Sequence, residues 1–255
     1  MGLNYSDIES KRFGMRIFRG QYEDFEMKDV QRIVNENDFD IIIVRYPTST
    51  IYEHYQLVGL DCCKTIHADS LVYYAAPLQE IEIKPLHNNL NFEVITTRND
   101  ERLDSVIQTV FTDYKNHYFA NPCLNKSAIV EGYIEWAKSY AVAKENGITW
   151  LIKDGEDSEN VAFQACYFNE EESICDLKLG GVVPGYAKRG IYADLLLYSQ
   201  GYFKNKGIKT MVTSTQLQNV AVRRVWEKCG FRFDKSYETY HIINNDTWAH
   251  CLTKL

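Results

Sequence analysis

One turn, residues 184–190 (PGYAKRG), constrains the fold of this chain more than any other stretch. Before it, the β-branched pattern of 173–183 predicts a strand. After it, apolar residues at helical spacing run from Ile191 to a glycine cap at Lys206-Gly207. Two more strand patterns precede these elements, at 148–154 and 160–168. The chain is therefore expected to lead a sheet strand into a helix through a basic, glycine-containing turn.

That turn has the composition of an anion site. A helix N-terminus presents unpaired N–H groups and the positive end of the helix dipole. Gly190 allows a phosphate to approach these amides, and Lys188 and Arg189 add positive charge at the rim. We expect the stretch to hold a phosphate, and a diphosphate in particular; the alternative is a plain turn with a solvated basic rim. It is neither a Walker loop nor a dinucleotide fingerprint, because GK[ST] and GxGxxG are absent.

The remaining patterns predict an α/β protein in two parts, divided between residues 85 and 86. Residues 1–85 form a small α/β unit, and residues 86–255 follow the order β-α-α-β-β-β-α-β-α-β. Residues 54–76 and 223–243 share a helix, a glycine stop and a tyrosine-rich strand, so the first part is interpreted as a partial copy of the second. The other predicted strands are 13–19, 39–47, 70–78, 92–98, 208–215 and 236–243, and the other helices are 27–38, 50–60, 101–111, 128–144 and 219–231.

Composition excludes several classes of function. The net charge is −7 and Lys and Arg do not cluster, so we expect no nucleic-acid partner. No apolar stretch reaches the roughly 20 residues needed to cross a bilayer, and the start lacks the apolar segment of a secretory signal. The seven cysteines are odd in number and lack CxxC spacing, so neither a metal site nor a disulfide framework is expected. These features predict a cytoplasmic protein without a membrane partner.

Two motifs at matching spacing resemble the GNAT family of N-acetyltransferases. Val182-Val183-Pro184 is similar to the family's V-x-P, and 187–192 (AKRGIY) lies where the family carries [QR]-x-x-G-x-[GA]. Downstream, Asn219, Ala221, Trp226 and Gly230-Phe231 are similar to its N-x-x-A-x-x-x-[YF]-x-x-x-G-F. The sequence departs from the pattern at Ala187, where Gln or Arg is usual, at Tyr192, where a small residue is usual, and at Trp226.

The resemblance implies a GNAT fold with a smaller, partial GNAT-like α/β N-terminal domain. It also implies acetyl-CoA as co-substrate, no metal, and a small-molecule amine as acceptor, with a homodimer as one arrangement left open. By the same resemblance, the residues expected to bind acetyl-CoA are Val182, Val183, Ala187, Lys188, Arg189, Gly190, Ile191, Tyr192, Asn219 and Trp226.

The resemblance implies catalytic candidates as well. Histone acetyltransferases of the family carry a glutamate six residues before the first motif, and Asp176 occupies that position. A carboxylate on a solvated strand face is the alternative interpretation of Asp176. The family's acid is often a tyrosine in the last helix, where this chain has Trp226, and an indole does not protonate a thiolate at neutral pH. Tyr192, Tyr237 or Tyr240 takes that role, or water does.

The acceptor is implied only by resemblance to family members that acetylate nucleotide-linked deoxyamino sugars. Tyr118, Phe119 and Asn121 are then expected near the sugar, since aromatic faces suit sugar rings and nucleobases. Core packing is the alternative for these aromatic residues. Another amine, such as a polyamine, an antibiotic or a peptide N-terminus, is a second hypothesis, although the acidic clusters at 156–157 and 170–172 fall in predicted turns. A noncatalytic acyl-CoA-binding module is the third.

Overall fold

The computed structural model describes residues 2–97, 99–141, 146–155 and 159–253. Its strands are β1 (Asn4–Tyr5), β2 (Ile17–Gln21), β3 (Ile41–Pro47), β4 (Cys63–Pro77), β5 (Leu90–Val94), β6 (Gly147–Asp154), β7 (Asn160–Asn169), β8 (Ile174–Val182), β9 (Thr210–Gln216) and β10 (Arg232–Asn244). Its α-helices are α1 (Asp7–Phe13), α2 (Lys28–Glu36), α3 (Tyr55–Val58), α4 (Glu101–Phe111), α5 (Lys126–Ala141), α6 (Ile191–Asn205), α7 (Val220–Lys228) and α8 (Asn245–Leu252). Short 3-10 turns cover Thr48–Glu53, His117–Ala120 and Pro184–Tyr186.

The chain forms two compact units, each assembled from separate stretches of sequence. Unit 1 contains 1–72, 115–129 and 235–255, and unit 2 contains 73–114 and 130–234. The division predicted between residues 85 and 86 is continuous along the chain and differs from this partition. The interpretation of 1–85 as a partial GNAT copy therefore stays a proposal.

Unit 1 is built around a sheet in the order β1-β2-β3-β10-β4. β2 and β3 are parallel, and β3 pairs with β10 in antiparallel register. The run Ile41–Val44 is buried on both faces of β3, as its continuous apolar sequence predicts. Ile42 and Val44 pack in one apolar cluster with α2, while Ile41 and Ile43 pack in another.

Unit 2 has its strands in the order β4-β9-β8-β7-β6-β5. β5 to β8 pair in antiparallel register, and β8 and β9 run parallel, joined by α6. An apolar cluster that includes Leu103, Ile107, Phe163 and Leu179 buries one face of the sheet against α4 and α5. α4 begins where the pattern predicts it, because the Asp100 side chain accepts hydrogen bonds from the main-chain N–H groups of 102 and 103.

The structure corrects several predicted elements. The strand predicted at 13–19 begins only at Ile17, because Phe13 belongs to α1 and Gly14 ends that helix in the left-handed conformation with φ of 65°. The predicted helix at 50–60 is a 3-10 turn followed by the four residues of α3. Residues 142–144 of another predicted helix, and the acidic pair at 156–157, lie outside the described residues. Among the residues described, no helix is both long enough and apolar enough to cross a membrane.

Glu238 is a buried carboxylate at the polar centre of unit 1, with 4% of its surface exposed. Its Oε2 lies 2.6 Å from Nε2 of His67 and accepts the Ser70 hydroxyl at 2.6 Å. Its Oε1 accepts the Thr48 hydroxyl at 2.8 Å. Burial alone would raise the pKa of Glu238, but these hydrogen bonds outweigh it and lower the pKa to about 2.

Replacement of Glu238 by Gln should destabilise the protein in a pH-dependent way. The pKa of the carboxylate is lower in the folded than in the unfolded state, so its stabilisation is present above pH ~4.5 and is lost as the pH falls toward about 2. Chemical denaturation should show Glu238→Gln about 2–3 kcal/mol less stable at pH 7, with the difference closing in acid. Glu36→Gln, at an exposed helix position, is the matched control and should stay within about 0.5 kcal/mol of wild type. An equal, pH-independent loss for Glu238→Gln would contradict this assignment.

Candidate functional site

The turn after β8 leads directly into the first amides of α6. Lys188 and Gly190 both adopt left-handed conformations, with φ of 65° and 85°. Gly190 is the N-cap of α6 and offers no side-chain cap, and the first bond within the helix runs from the Asp194 N–H to the Gly190 carbonyl at 3.1 Å. The N–H groups of 191–193 therefore have no partner within the helix. This is the geometry that an anion site at a helix N-terminus needs.

Asp194 holds this turn in place through hydrogen bonds to the residues before β5, a role that was not predicted from the sequence. Its carboxylate is fully buried and accepts hydrogen bonds from the main-chain N–H groups of His87 and Asn88, at 2.8 and 2.9 Å. Asn88 Nδ2 donates to Asp194 at 2.7 Å and to the Arg189 carbonyl at 3.2 Å. Burial would raise the pKa of Asp194, but these hydrogen bonds lower it overall. A charged residue in the first turn of α6, directly before the apolar run Leu195–Leu197, was the available signal.

The two bases of the turn stay at its surface. The Arg189 guanidinium lies 4.8 Å from the centre of the Tyr186 ring and donates to the Gly185 carbonyl at 3.3 Å. Lys188, Arg189 and Ala187 are exposed. The bases therefore provide positive charge at the rim, and the amides provide the cradle.

β8 and β9 separate next to this turn. Their parallel pairing ends at Leu177 and Thr213, although β8 continues to Val182 and β9 to Gln216. A β-bulge places Lys178 as an extra residue between Leu177 and Leu179 in the pairing with β7. A bulge bends its strand and increases its twist. The outcome is an opening between the carboxyl ends of two parallel strands, bounded by the cradle.

Some main-chain N–H and C=O groups at the end of β8 have no strand partner on the side of this opening. The Val183 N–H donates to the Val161 carbonyl at 2.8 Å, so it is already used within the sheet. Because strand main-chain groups alternate in direction, those of Val182 and Gly180 point away from β7, toward the opening. Gly180 leaves room there for the Gln164 side chain, whose Oε1 would lie 2.4 Å from a Cβ at this position and would have to move. Of the two predicted valines, Val182 is therefore the one whose amide is available to a ligand.

Asp176 lies on β8 and pairs with Lys178 across the bulge. Its carboxylate accepts a hydrogen bond from the Lys178 ammonium, and both side chains are partly exposed. Burial raises the pKa of Asp176, and the nearby Lys178 opposes the rise only in part. A carboxylate with a raised pKa is a stronger base than an ordinary one.

Tyr192 and Trp226 form one contact in unit 2. The Trp226 Nε1–H donates to the Tyr192 hydroxyl at 3.0 Å. Trp226 is 2% exposed and packs against Tyr74 and Phe231, so it is a core residue at the base of α7. Burial raises the pKa of Tyr192. Asn219, the other predicted residue on this side, donates from Nδ2 to the Thr215 hydroxyl at 3.1 Å.

The other predicted residues belong to unit 1, where internal contacts occupy their polar groups. The Tyr240 hydroxyl lies 3.1 Å from Nδ1 of His54, and the Tyr237 hydroxyl donates to Glu23 at 3.0 Å. Asn121 is fully buried, with Nδ2 3.1 Å from Nδ1 of His241. The Tyr118 hydroxyl donates to Glu9 and accepts from Arg19, while Phe119 is half-buried. The predicted CoA residues are brought together in unit 2, and the predicted acceptor residues are not part of that cluster.

Comparison with known proteins shows which family this part of the chain resembles. Residues 109–231 match the model of the acetyltransferase (GNAT) family, and this range contains the cradle, the opening and α7. The matched segment is slightly less than half of the chain and is similar to GNAT acetyltransferases. The chain has the GNAT fold that its motifs predict. Acetyl-CoA is the co-substrate of this family, and a cradle of free amides beside a strand opening fits its diphosphate and pantetheine arm. In the described residues, no group of three or more His, Cys, Asp or Glu side chains could hold a metal ion.

Individual relatives support the GNAT fold of this chain. The spore coat polysaccharide biosynthesis protein SpsD of Bacillus subtilis (strain 168) is 29% identical over 136 residues, which are 50% of this chain and 43% of SpsD. The match thus spans less than half of that relative. A functionally unknown conserved protein from Staphylococcus epidermidis has a TM-score of 0.55 at 11% identity, covering 90% of this chain and 84% of its own. A GCN5-related N-acetyltransferase from Sphaerobacter thermophilus has a TM-score of 0.56 at 13% identity, covering 79% and 60%. The two structures show likeness of fold alone.

Replacement of Gly190 by Ala should weaken CoA binding at least tenfold. A side chain costs about 1–2 kcal/mol in the left-handed conformation, so the turn would relax and its amides would no longer converge. Gly185→Ala in the same turn is the matched control, because a Cβ there meets open space and its φ is ordinary. Titration calorimetry with CoA measures both variants. Wild-type affinity in Gly190→Ala, or equal losses in the two variants, would remove Gly190 from the site.

Proposed function

We propose that this acetyltransferase acts on the amino group of a nucleotide-linked deoxyamino sugar. The observation that carries acetyl-CoA use is the amide cradle at Gly190, next to the opening between β8 and β9. The observation that favours a sugar is the likeness to SpsD, whose name assigns it to polysaccharide biosynthesis. A primary amine is the group that an N-acetyltransferase modifies, and an aminosugar is the sugar that carries one.

The residues of unit 2 supply the parts that acetyl transfer requires. The amides of 191–193, with Lys188 and Arg189 at the rim, hold the diphosphate. The main-chain groups of Val182 and Gly180 are available to the thioester end of the co-substrate. The Val182 N–H is the donor placed to stabilise the oxyanion that forms when the amine attacks the thioester carbonyl.

Asp176 is the proposed general base. The attacking amine must lose a proton, and a carboxylate whose pKa is raised by burial accepts it more readily than an exposed one. Lys178 holds this carboxylate in place at the bulge. The base and the proposed oxyanion donor are thus both on β8, on either side of the bulge.

Turnover on a substrate panel tests the acceptor class. Release of free CoA thiol from acetyl-CoA should occur with nucleotide-linked 4-amino or 3-amino deoxysugars, TDP-fucosamine among them, and not with spermidine or a peptide amine. Turnover on spermidine or the peptide alone would retain the acetyltransferase and reject the sugar. A protein that binds CoA but uses none of the amines would contradict the proposed function as a whole.

Asp176→Asn should lower kcat by about 100-fold near neutral pH, the usual size of general base catalysis. The deficit should shrink as the pH rises, because the free amine then forms without help from the protein. Glu172→Gln is the control, since Glu172 is an exposed carboxylate in the turn before β8. A kcat–pH profile of Asp176→Asn that parallels the wild type would show that Asp176 is not the base.

A further inference from the structure

Tyr114 lies in a partly buried polar cluster that the proposed acetyl transfer does not use. Its hydroxyl donates to Oε1 of Gln216 and lies 3.3 Å from the Thr215 hydroxyl. Asn219 Nδ2 donates to that same Thr215 oxygen at 3.1 Å. Thr215 and Gln216 are only 5% and 7% exposed. Four polar side chains thus converge at one strand end, where sheet packing alone would favour apolar residues.

The position of this cluster relates it to the opening. Thr215 and Gln216 are the last residues of β9, beyond Thr213, the last residue of β9 that pairs with β8. The cluster therefore lies on the β9 side of the opening, opposite the main-chain groups of Gly180 and Val182 on the β8 side. A thioester held by β8 would have its sulfur between these two sides.

The Tyr114 ring is held rigidly enough to position its hydroxyl. It packs edge-on to Phe111, with ring centres 5.3 Å apart, and edge-on to Tyr133 at 6.0 Å. Its main-chain N–H donates to the Phe111 carbonyl at 3.1 Å, which fixes the backbone just after α4. The ring is anchored by the core of unit 2, and the hydroxyl extends to β9.

The other aromatic donors near α7 are less suited to give up a proton. Trp226 is an N–H donor only, and its N–H is already given to Tyr192. The Tyr192 oxygen receives that bond, which lowers the pKa of Tyr192, but burial raises this pKa by more. Tyr114 lies close enough to Tyr192 for its charge to add to the rise in the pKa of Tyr192. Loss of the Tyr114 proton thus makes the Tyr192 proton harder to remove.

We propose that the Tyr114 hydroxyl protonates the departing thiolate of CoA. This inference rests on the proposed acetyl transfer and names a residue that the motifs do not contain. As the tetrahedral intermediate collapses, the C–S bond breaks and its electron pair passes to sulfur. The sulfur then takes the Tyr114 proton, so an O–H bond breaks and an S–H bond forms. Solvent returns a proton to the phenolate before the next turnover.

The neighbours of Tyr114 are arranged to stabilise that phenolate. Because Asn219 donates to the Thr215 oxygen, the hydroxyl proton of Thr215 is free to point at the Tyr114 oxygen. Before proton transfer, the Gln216 amide oxygen accepts the hydrogen bond from the phenol. Once Tyr114 has lost its proton, a 180° rotation of the amide would let Nε2 donate to the phenolate. Each neighbour thus has a hydrogen-bonding role before and after proton transfer.

The test compares Tyr114→Phe with Tyr192→Phe on two acetyl donors. Tyr114→Phe keeps the ring contacts and should lower kcat with acetyl-CoA by about 100-fold, with CoA affinity within twofold of wild type. The second donor is the selenium analogue of acetyl-CoA, whose selenolate is a much weaker base and leaves without protonation. The Tyr114→Phe loss should fall below threefold on that donor. Thr215→Val should show a smaller loss with the same dependence on the donor.

The alternative outcomes separate this inference from the proposed function. Equal losses on both donors would give Tyr114 a structural role only and overturn the inference. If Tyr192→Phe, and not Tyr114→Phe, lowers kcat with acetyl-CoA but not with the selenium analogue, the proton comes from Tyr192. Wild-type kcat in Tyr114→Phe would also overturn the inference and leave the acetyltransferase intact. An inactive wild-type protein that still binds CoA would contradict the proposed function, and the inference with it.

Discussion

The early end of the β8–β9 ladder is the constraint on which the rest of unit 2 depends. Parallel strands joined by a helix normally pair along their length, and here the pairing stops at Leu177 and Thr213. The bulge at Lys178 bends β8 at that point, and Gly180 leaves room for the Gln164 side chain. Without the separation, the main-chain N–H and C=O groups at the end of β8 would form hydrogen bonds with β9. The cradle would then have no adjoining space for the rest of a ligand.

Buried carboxylates organise both units, but in different chemical states. Asp194 and Glu238 are surrounded by donors, so each has a lowered pKa and acts as a permanent anion that fixes its surroundings. Asp176 has one ammonium partner, Lys178, whose charge does not outweigh the effect of burial, so the pKa of Asp176 is raised. The number of donors around a carboxylate therefore separates a structural anion from a group that can exchange a proton.

The turn before α6 followed from local sequence because local chemistry specifies it. A left-handed glycine, two adjacent basic residues and a helix start are properties of consecutive residues, so the conformation of 187–192 was predictable. The order of strands and helices in 92–243 followed from periodicity for the same reason. The contacts of Tyr114 with Thr215 and Gln216 were not predictable, since they join residues about a hundred positions apart. Asn121 looked like a ligand residue in sequence, and the structure buries it completely.

The sequence by itself determined the α/β class, the turn before α6 and the likeness to the GNAT family, because each depends on residues that are neighbours along the chain. The tertiary structure alone decided which stretches form each compact unit, with 115–129 and 235–255 joining the first 72 residues. It also decided that Trp226 is core, that the Val183 amide is used in the sheet, and that Tyr114 reaches the end of β9. These features depend on strand register and on which side chains meet across the fold, and periodicity along one chain carries no information about either.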